Sequence, residues 1–156
     1  MRITLAAVGR LKSGPMRALY DDYAGRLRRG PLGPLRLKEI EAPRGAGVQE
    51  LKRREGALVL AAVPAGARLI ALDEAGTSLT SREFAALLGR WRDEGVGEVA
   101  FAVGGAEGLD EAVHAAAAMT LSFGPLTWPH LLVRVLLAEQ LYRAQSILTG
   151  HPYHRA

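Results

Sequence analysis

The sequence predicts an α/β protein in which a mostly parallel sheet carries helices on both faces. Five short apolar runs of strand length alternate with segments whose apolar residues recur at helical spacing. This alternation is typical of a parallel sheet covered on both sides. The chain has 156 residues, 49% hydrophobic and 23% charged, with no internal repeat or long linker, so residues 1–156 are predicted to form a single domain.

The predicted strands are short and rich in Val, Ile, Leu and Ala, and most are bounded by Gly, Pro or charged residues. They cover Arg2–Val8, Leu35–Glu41, Arg68–Leu72, Glu98–Val103 and Met119–Phe123. The predicted helices carry apolar residues three or four positions apart. They cover Pro15–Leu27, Val48–Val63, Ser81–Glu94, a short segment after Leu109 and a long segment from about Pro129 to Leu148.

Three helix ends have recognisable signals. Thr80 and Glu83 have the spacing of a capping box, with Thr80 as the N-cap and Glu83 three residues into the helix. Pro129 suits the first turn of the last helix, and Gly150 suits its end.

Three of the predicted strands end in loops that contain glycine. These loops are residues 72–76, 103–108 and 123–130. In open α/β sheets, ligands bind beyond the carboxyl ends of the strands. The three loops are therefore predicted to lie on one rim and to form a single site.

Each loop also has a plainer interpretation. Gly104–Gly108 has neither the dinucleotide-binding nor the Walker spacing, so its glycines serve either a close approach to a ligand or a tight turn. Phe123–Trp128 suits a flat base, which needs an apolar slot and main-chain hydrogen bonds, or it is a simple connection. Asp73 and Glu74 suit a ribose hydroxyl, or they are solvated loop charges.

The C-terminal part of the chain holds further chemistry. Glu139 and Arg143 are four residues apart on the long helix, which fits a functional pair or an ordinary surface ion pair. The last turn is followed by His151–His154, which reads HPYH. Imidazole and phenol groups there suit proton transfer and stacking beside a pocket, although a frayed tail is the common fate of a terminus. No carboxylate or Cys lies near the two histidines in sequence, so no metal site is expected.

Charge and composition limit the partners and the compartment. The chain has no cysteine and no signal-peptide pattern, so a cytoplasmic, non-membrane protein is expected. Residues 1–60 hold 13 Lys and Arg against 6 Asp and Glu, whereas residues 61–156 hold 7 against 10. This asymmetry indicates a polyanion partner such as RNA, or it reflects only the base composition of the genome.

Four segments together resemble a known family. They are LDEAGTSLTSREFA from Leu72, FAVGGAEGL from Phe101, the block from Leu121 to Ile147, and HPYH from His151. They are similar to the RlmH family of SPOUT-class methyltransferases, which methylate N3 of a pseudouridine in bacterial large-subunit (23S) ribosomal RNA. The resemblance covers nearly the whole chain, including ITLAAVGRLK at its start, and the C-terminal block is its most specific part.

The resemblance implies a C-terminal trefoil knot, a homodimer and S-adenosylmethionine as cofactor. Nothing in the strand and helix pattern predicts a knot. The implied cofactor contacts are Leu72, Gly104, Phe123, Gly124, Pro125, Leu126, Thr127 and Trp128. The family often has a polar residue where this chain has Gly124-Pro125. Main-chain contacts to the cofactor survive that change, whereas a side-chain contact does not.

For catalysis we hypothesise that three residues position and polarise the pyrimidine: His154, Tyr153 and Arg143. His154 is the first candidate for the general base, and Arg143 is the candidate to stabilise the developing enolate oxygen. Arginines of the basic half are candidate phosphate contacts, namely Arg26, Arg28, Arg29, Arg44, Arg53 and Arg54. Two rival interpretations remain open, a non-catalytic RNA-binding module and a regulator that binds a nucleotide through Gly104–Gly108.

Overall fold

The computed structural model describes residues 1–43, 45 and 47–155, and these residues form five strands and five helices in alternation. The elements in chain order are β1 (Arg2–Val8), α1 (Pro15–Leu27), β2 (Leu35–Ile40), α2 (Val48–Ala62), β3 (Arg68–Ser78), α3 (Ser81–Asp93), β4 (Glu98–Val103), α4 (Glu111–Ala116), β5 (Met119–Ser122) and α5 (His130–Thr149). The α/β class and the order of the elements are therefore confirmed. Arg44, a predicted phosphate contact, lies outside the described residues.

The five strands form one parallel sheet in the order β2-β1-β4-β3-β5. Alternate residues of β1 face opposite layers, with Ile3 and Leu5 packing in the core under α1, α3 and α5, and Ala6 packing in the core under α2 and α4. This period of two explains why a strand buried on both faces reads as a continuous apolar run. Helices on both faces confirm the predicted layering.

The third strand is longer than predicted. We predicted Arg68–Leu72, but after a bulge the chain pairs with β5 again, so that both Leu72 and Thr77 lie opposite Leu121. The polar residues and the one glycine of this second half have the composition of a loop. A Cβ on Gly76 would lie 2.8 Å from the main chain of Thr120 and Leu121, so only glycine permits this crossing.

The helix ends agree closely with their signals. Thr80 and Glu83 form the predicted capping box, and Gly150, with a φ of 68°, ends α5. Pro129 is the N-cap of α5 rather than its first helical residue, which corrects our prediction by one position. Within the described part of the chain, no helix combines the length and the apolar character needed to cross a bilayer.

Candidate functional site

A cavity of about 330 Å³ lies beyond the carboxyl ends of β4 and β5 and beside the bulge of β3, which begins after Leu72. Most of its lining comes from the three loops predicted to share one rim, and Leu121 and Val133 complete it. The lining includes seven of the eight residues implied for the cofactor: Leu72, Gly104, Phe123, Gly124, Leu126, Thr127 and Trp128. Pro125 lies between two of these residues without lining the cavity. Asp73, Glu74 and Glu107 add carboxylates to it, and His130 adds an imidazole.

The loop after β4 is folded tightly at the cavity floor. Gly105 and Gly108 form a bridge, with the Gly108 amide donating to the Gly105 carbonyl at 3.1 Å. A Cβ on Gly104 would lie 2.5 to 2.8 Å from the main chain of Gly108 and Leu109. The glycine at position 104 is therefore a steric requirement of the turn, and the same turn presents its main chain to the cavity.

The bulge of β3 and the loop after β5 are joined by hydrogen bonds. The Thr127 hydroxyl donates to the Glu74 carboxylate at 2.6 Å. The buried Ser122 hydroxyl lies 3.1 Å from the Glu74 carbonyl oxygen and 2.9 Å from that of Gly124. Glu74 thus holds the loop in place, whereas the sequence suggested a ribose contact or a solvated charge. The segment around Glu74 and the loop after β5 consequently behave as one unit.

The cavity combines an apolar wall with exposed main chain. The Leu126 side chain is 67% exposed and the Trp128 side chain is 40% exposed, although both are large apolar groups. Exposed apolar side chains beside a concave surface are typical of a ligand site. Such a site suits a flat heterocycle, while the carboxylates on its rim suit hydroxyl groups or a positive charge.

His130, the first residue of α5, was not predicted as a functional residue. Its ring lines the cavity and its Nε2 lies 3.6 Å from the position of a Cβ on Gly9. Burial, together with the nearby Arg134 guanidinium, lowers the pKa of His130 below its ordinary value of 6.5. The Trp-Pro-His sequence at the start of a helix is the signal that identifies this residue.

The lowered pKa predicts a pH effect on stability. The folded state binds the proton of His130 less readily than the unfolded state does, so its contribution is complete above pH 6.5 and is lost as the pH falls through the folded pKa. His130→Asn should flatten the fall in unfolding free energy between pH 7.5 and pH 5, as measured by urea titration. His151→Asn, at an exposed site, is the control. Parallel pH profiles for wild type and His130→Asn would refute this assignment.

Arg134 was not predicted as a functional residue either, although it is the one charged residue in the sequence from Leu131 to Ala138. Its side chain is 0% exposed. It donates to the carbonyls of Val8 and, at 2.9 Å, Gly9, and it lies 3.3 Å from the Glu39 carboxylate. Burial lowers the pKa of Arg134, but an arginine remains charged, so these contacts compensate a buried cation.

The three predicted catalytic residues lie together around Glu139. Arg143 donates to the Glu139 carboxylate at 3.0 Å, and the Tyr153 hydroxyl donates to it at 2.9 Å. An Arg143 nitrogen lies 3.3 Å from Nδ1 of His154, and the guanidinium sits 4.9 Å from the centre of the Tyr153 ring. Tyr153 also contacts the Tyr23 hydroxyl at 3.1 Å. The terminal segment is therefore folded back on α5, and Glu139 with Arg143 is more than a solvated surface pair.

This tail cluster (Tyr23, Glu139, Arg143, Tyr153 and His154) is separate from the cavity of the same chain. Helix α5 starts at the cavity, and Arg143 comes 13 residues after His130, which is about 20 Å of helix. Near its other end, Gln145 accepts a hydrogen bond from the Leu32 amide, which precedes β2. The helix thus runs from the carboxyl edge of the sheet to its amino edge. Among the described residues, none that lines the cavity belongs to the tail cluster.

Burial and hydrogen bonding define the chemistry of this cluster. Burial, with the hydrogen bonds to Tyr23 and Glu139, raises the pKa of Tyr153. The hydrogen bond to Glu139 raises the pKa of Arg143. Tyr153 therefore stays protonated and Arg143 stays charged near neutral pH. Both groups can orient or polarise a ligand, and neither can accept a proton.

Comparisons with known proteins agree over the length of the chain. A family model described as "Predicted SPOUT methyltransferase" matches residues 1–154. The chain is 57% identical to "Ribosomal RNA large subunit methyltransferase H" of Rhodospirillum centenum over 156 residues, which is all of both chains. It is 52% identical to the protein of the same name in Paramagnetospirillum magneticum, over 99% of each chain.

Solved structures agree on the fold. A probable methylase family protein from Haemophilus influenzae superposes with a TM-score of 0.58, at 14% identity, over 99% of this chain and 70% of that one. A probable methyltransferase from Bordetella pertussis superposes with a TM-score of 0.52, at 20% identity, over 92% of this chain and 96% of that one.

Proposed function

The chain belongs to the SPOUT methyltransferase family, and from that membership we propose that it methylates N3 of a pseudouridine in large-subunit ribosomal RNA, with S-adenosylmethionine as the methyl donor. The relatives from Rhodospirillum centenum and Paramagnetospirillum magneticum, named as ribosomal RNA large-subunit methyltransferases, support the RNA substrate. We also propose a cytoplasmic location, which a ribosomal RNA substrate supports.

The observation that carries the proposal is the convergence of the three loops on one cavity. Its size and apolar wall fit an adenosyl group, and the turn at Gly104 leaves main chain where a Cβ would otherwise stand. Asp73 and Glu107 on the rim suit ribose hydroxyls or the positive charge of the donor. The residues that would hold the cofactor are Leu72, Gly104, Phe123, Gly124, Pro125, Leu126, Thr127 and Trp128.

When bound, S-adenosylmethionine would supply an electrophilic methyl group on a good leaving group. The protein must remove the proton from the imide nitrogen, which is a poor nucleophile while protonated. We assign proton removal to His154, whose ring lies against Arg143. Arg143 would stabilise the enolate oxygen that develops, and Tyr153, which keeps its proton, would orient the ring.

A homodimer reconciles this assignment with the geometry of one chain. The tail cluster lies about 20 Å along α5 from the cavity, which is too far for direct transfer within a subunit. We propose that the tail cluster of one subunit meets the cavity of the other. Exposed apolar residues on α1, Met16 and Leu19, lie on the helix that carries Tyr23, and they offer surface that a second subunit would cover.

His154→Ala tests the assignment of the base. The rate of methyl transfer should fall by about 100-fold or more, the usual range for loss of a general base. The dissociation constant of S-adenosylmethionine, measured by calorimetry, should change little because the proposal assigns His154 to the imide proton of the pyrimidine and not to the cofactor. Equal losses of rate and affinity would remove His154 from the chemistry.

The activity itself is tested by transfer of labelled methyl groups to ribosomes and to free ribosomal RNA, followed by nucleoside analysis. N3-methylated pseudouridine is the expected product. Calorimetry with S-adenosylmethionine separates this proposal from a non-catalytic RNA-binding module, which would not bind it. A nucleotide-binding regulator would bind a nucleotide but would leave the RNA unmodified.

A further inference from the structure

The loop between β1 and α1, residues 9–14, carries two cations at the carboxyl edge of the sheet. Leu11, at its centre, is buried, whereas Arg10 and Lys12 on either side of it are exposed. Among the described residues, neither cation forms an ion pair. The Arg10 and Lys12 donors are thus free for a partner outside the chain.

The backbone of this loop is held by hydrogen bonds to residues of α5 and β2. Arg134 holds the carbonyls of Val8 and Gly9, and the Gly9 amide donates to the Ile40 carbonyl at 2.7 Å. Glu39, which lies 3.3 Å from Arg134, also accepts a hydrogen bond from the Leu11 amide at 2.6 Å. A buried arginine on α5 and a carboxylate on β2 therefore clamp a surface loop. A rigid loop loses little conformational entropy when a ligand binds.

The loop also adjoins the cavity. His130 lines the cavity, and its Nε2 lies 3.6 Å from the position of a Cβ on Gly9. Arg10 is the next residue along the chain. A base held at the cavity mouth would therefore have its flanking phosphates near Arg10 and Lys12.

Three of the phosphate contacts suggested by the sequence are less suitable. Arg26 is paired with Asp22 at 2.8 Å, while Arg53 and Arg54 are both paired with Glu50 at 2.7 and 3.0 Å. Binding a phosphate would break these pairs. Arg10 and Lys12 face no such cost, and the sequence analysis did not select either of them.

We propose that the β1–α1 loop is a rigid phosphate-binding lip of the RNA surface, with Arg10 and Lys12 as its phosphate contacts. The inference rests on the proposed function because it takes RNA as the substrate. It assigns the loop to the phosphate backbone and gives it no part in cofactor binding or in the chemical step. Contacts of this kind position the RNA and weaken with salt.

The test compares two double variants that each remove two exposed positive charges. R10A/K12A removes them from the lip, and R36A/R90A removes them from β2 and α3. Ribosomes from cells that lack the gene for this protein serve as the methyl acceptor, and free large-subunit ribosomal RNA serves for binding at several salt concentrations. R10A/K12A should raise the KM for ribosomes about tenfold and reduce the salt slope of RNA binding by about 1.4 to 1.8, while R36A/R90A should change neither.

The outcomes separate the lip from the proposed function. Equal KM values and salt slopes for the two double variants would overturn the lip, as would undetectable RNA binding by the wild type. If the wild type transfers no methyl group, but the salt slope of RNA binding is smaller for R10A/K12A than for the wild type, the methyltransferase proposal is refuted and the lip is retained. Calorimetry with S-adenosylmethionine should give the same dissociation constant for wild type and R10A/K12A, and a large change would assign the loop to the cofactor site instead.

Discussion

Arg134→Met should lower the free energy of unfolding by about 2 to 6 kcal/mol, because two main-chain carbonyls lose their donor, at a cost of about 1 to 3 kcal/mol each. The variant leaves the Val8 and Gly9 carbonyls without their donor and Glu39 without its cation. Methionine fills much of the volume, so the loss reflects electrostatics and hydrogen bonding more than a cavity. Urea denaturation at pH 7 measures the effect.

Arg53→Met is the matched control, because Arg53 forms an exposed pair with Glu50. Its effect should stay below about 1 kcal/mol. Glu39→Gln is a milder variant, since the amide oxygen still accepts from the Leu11 amide and from Arg134. If Arg134→Met lowers the free energy of unfolding no more than Arg53→Met does, the contacts of Arg134 contribute nothing to stability.

Gly104→Ala should raise the dissociation constant of S-adenosylmethionine by about 10- to 100-fold. A Cβ at position 104 would press on the main chain of Gly108 and Leu109 at 2.5 to 2.8 Å, so the turn must shift. Overpacking of this kind costs about 1 to 3 kcal/mol, and each 1.4 kcal/mol is about tenfold in affinity if the shift opposes binding. Calorimetry measures the affinity, and the same titration reports on folding through the fitted stoichiometry.

Gly97→Ala is the control for Gly104→Ala. In the part of the chain that the structure describes, no residue other than its two chain neighbours lies within 4 Å of a Cβ at position 97, and Gly97 precedes β4 at the edge of the sheet opposite the cavity. This substitution should leave the affinity unchanged. If Gly104→Ala binds S-adenosylmethionine as tightly as Gly97→Ala does, the turn after β4 does not form the cofactor site.

Local sequence signals predicted most of the fold. Apolar runs, most of them bounded by Gly, Pro or charged residues, located all five strands. The capping pair Thr80 and Glu83 located the start of α3. The extension of β3 past Leu72 was missed because Asp73–Gly76 has the composition of a loop, and its pairing with β5 depends on a tertiary contact. The knot implied by the family stays a prediction.

The cavity was more predictable than its surroundings. Parallel strands end at one edge, so the three glycine loops had to meet there, and they do. Arg134 and His130 were missed because their roles depend on what α5 packs against, which no spacing within the helix reveals. Arg143, Tyr153 and His154 lie together, but the contact of Tyr153 with Tyr23 was not predicted, and the distance of these residues from the cavity follows from the direction of α5 across the sheet.

The strand order has a consequence for folding kinetics. At the centre of the sheet, β1 pairs with β4, and Arg2 lies opposite Glu98, so this pairing must close a loop of more than 90 residues. Such closure costs chain entropy before any contact repays it, which slows folding in proteins rich in distant pairings. During synthesis, β1 and β2 are therefore present without β4, which pairs with β1, until most of the chain has been made. The apolar edge of β1 is open to aggregation during that interval.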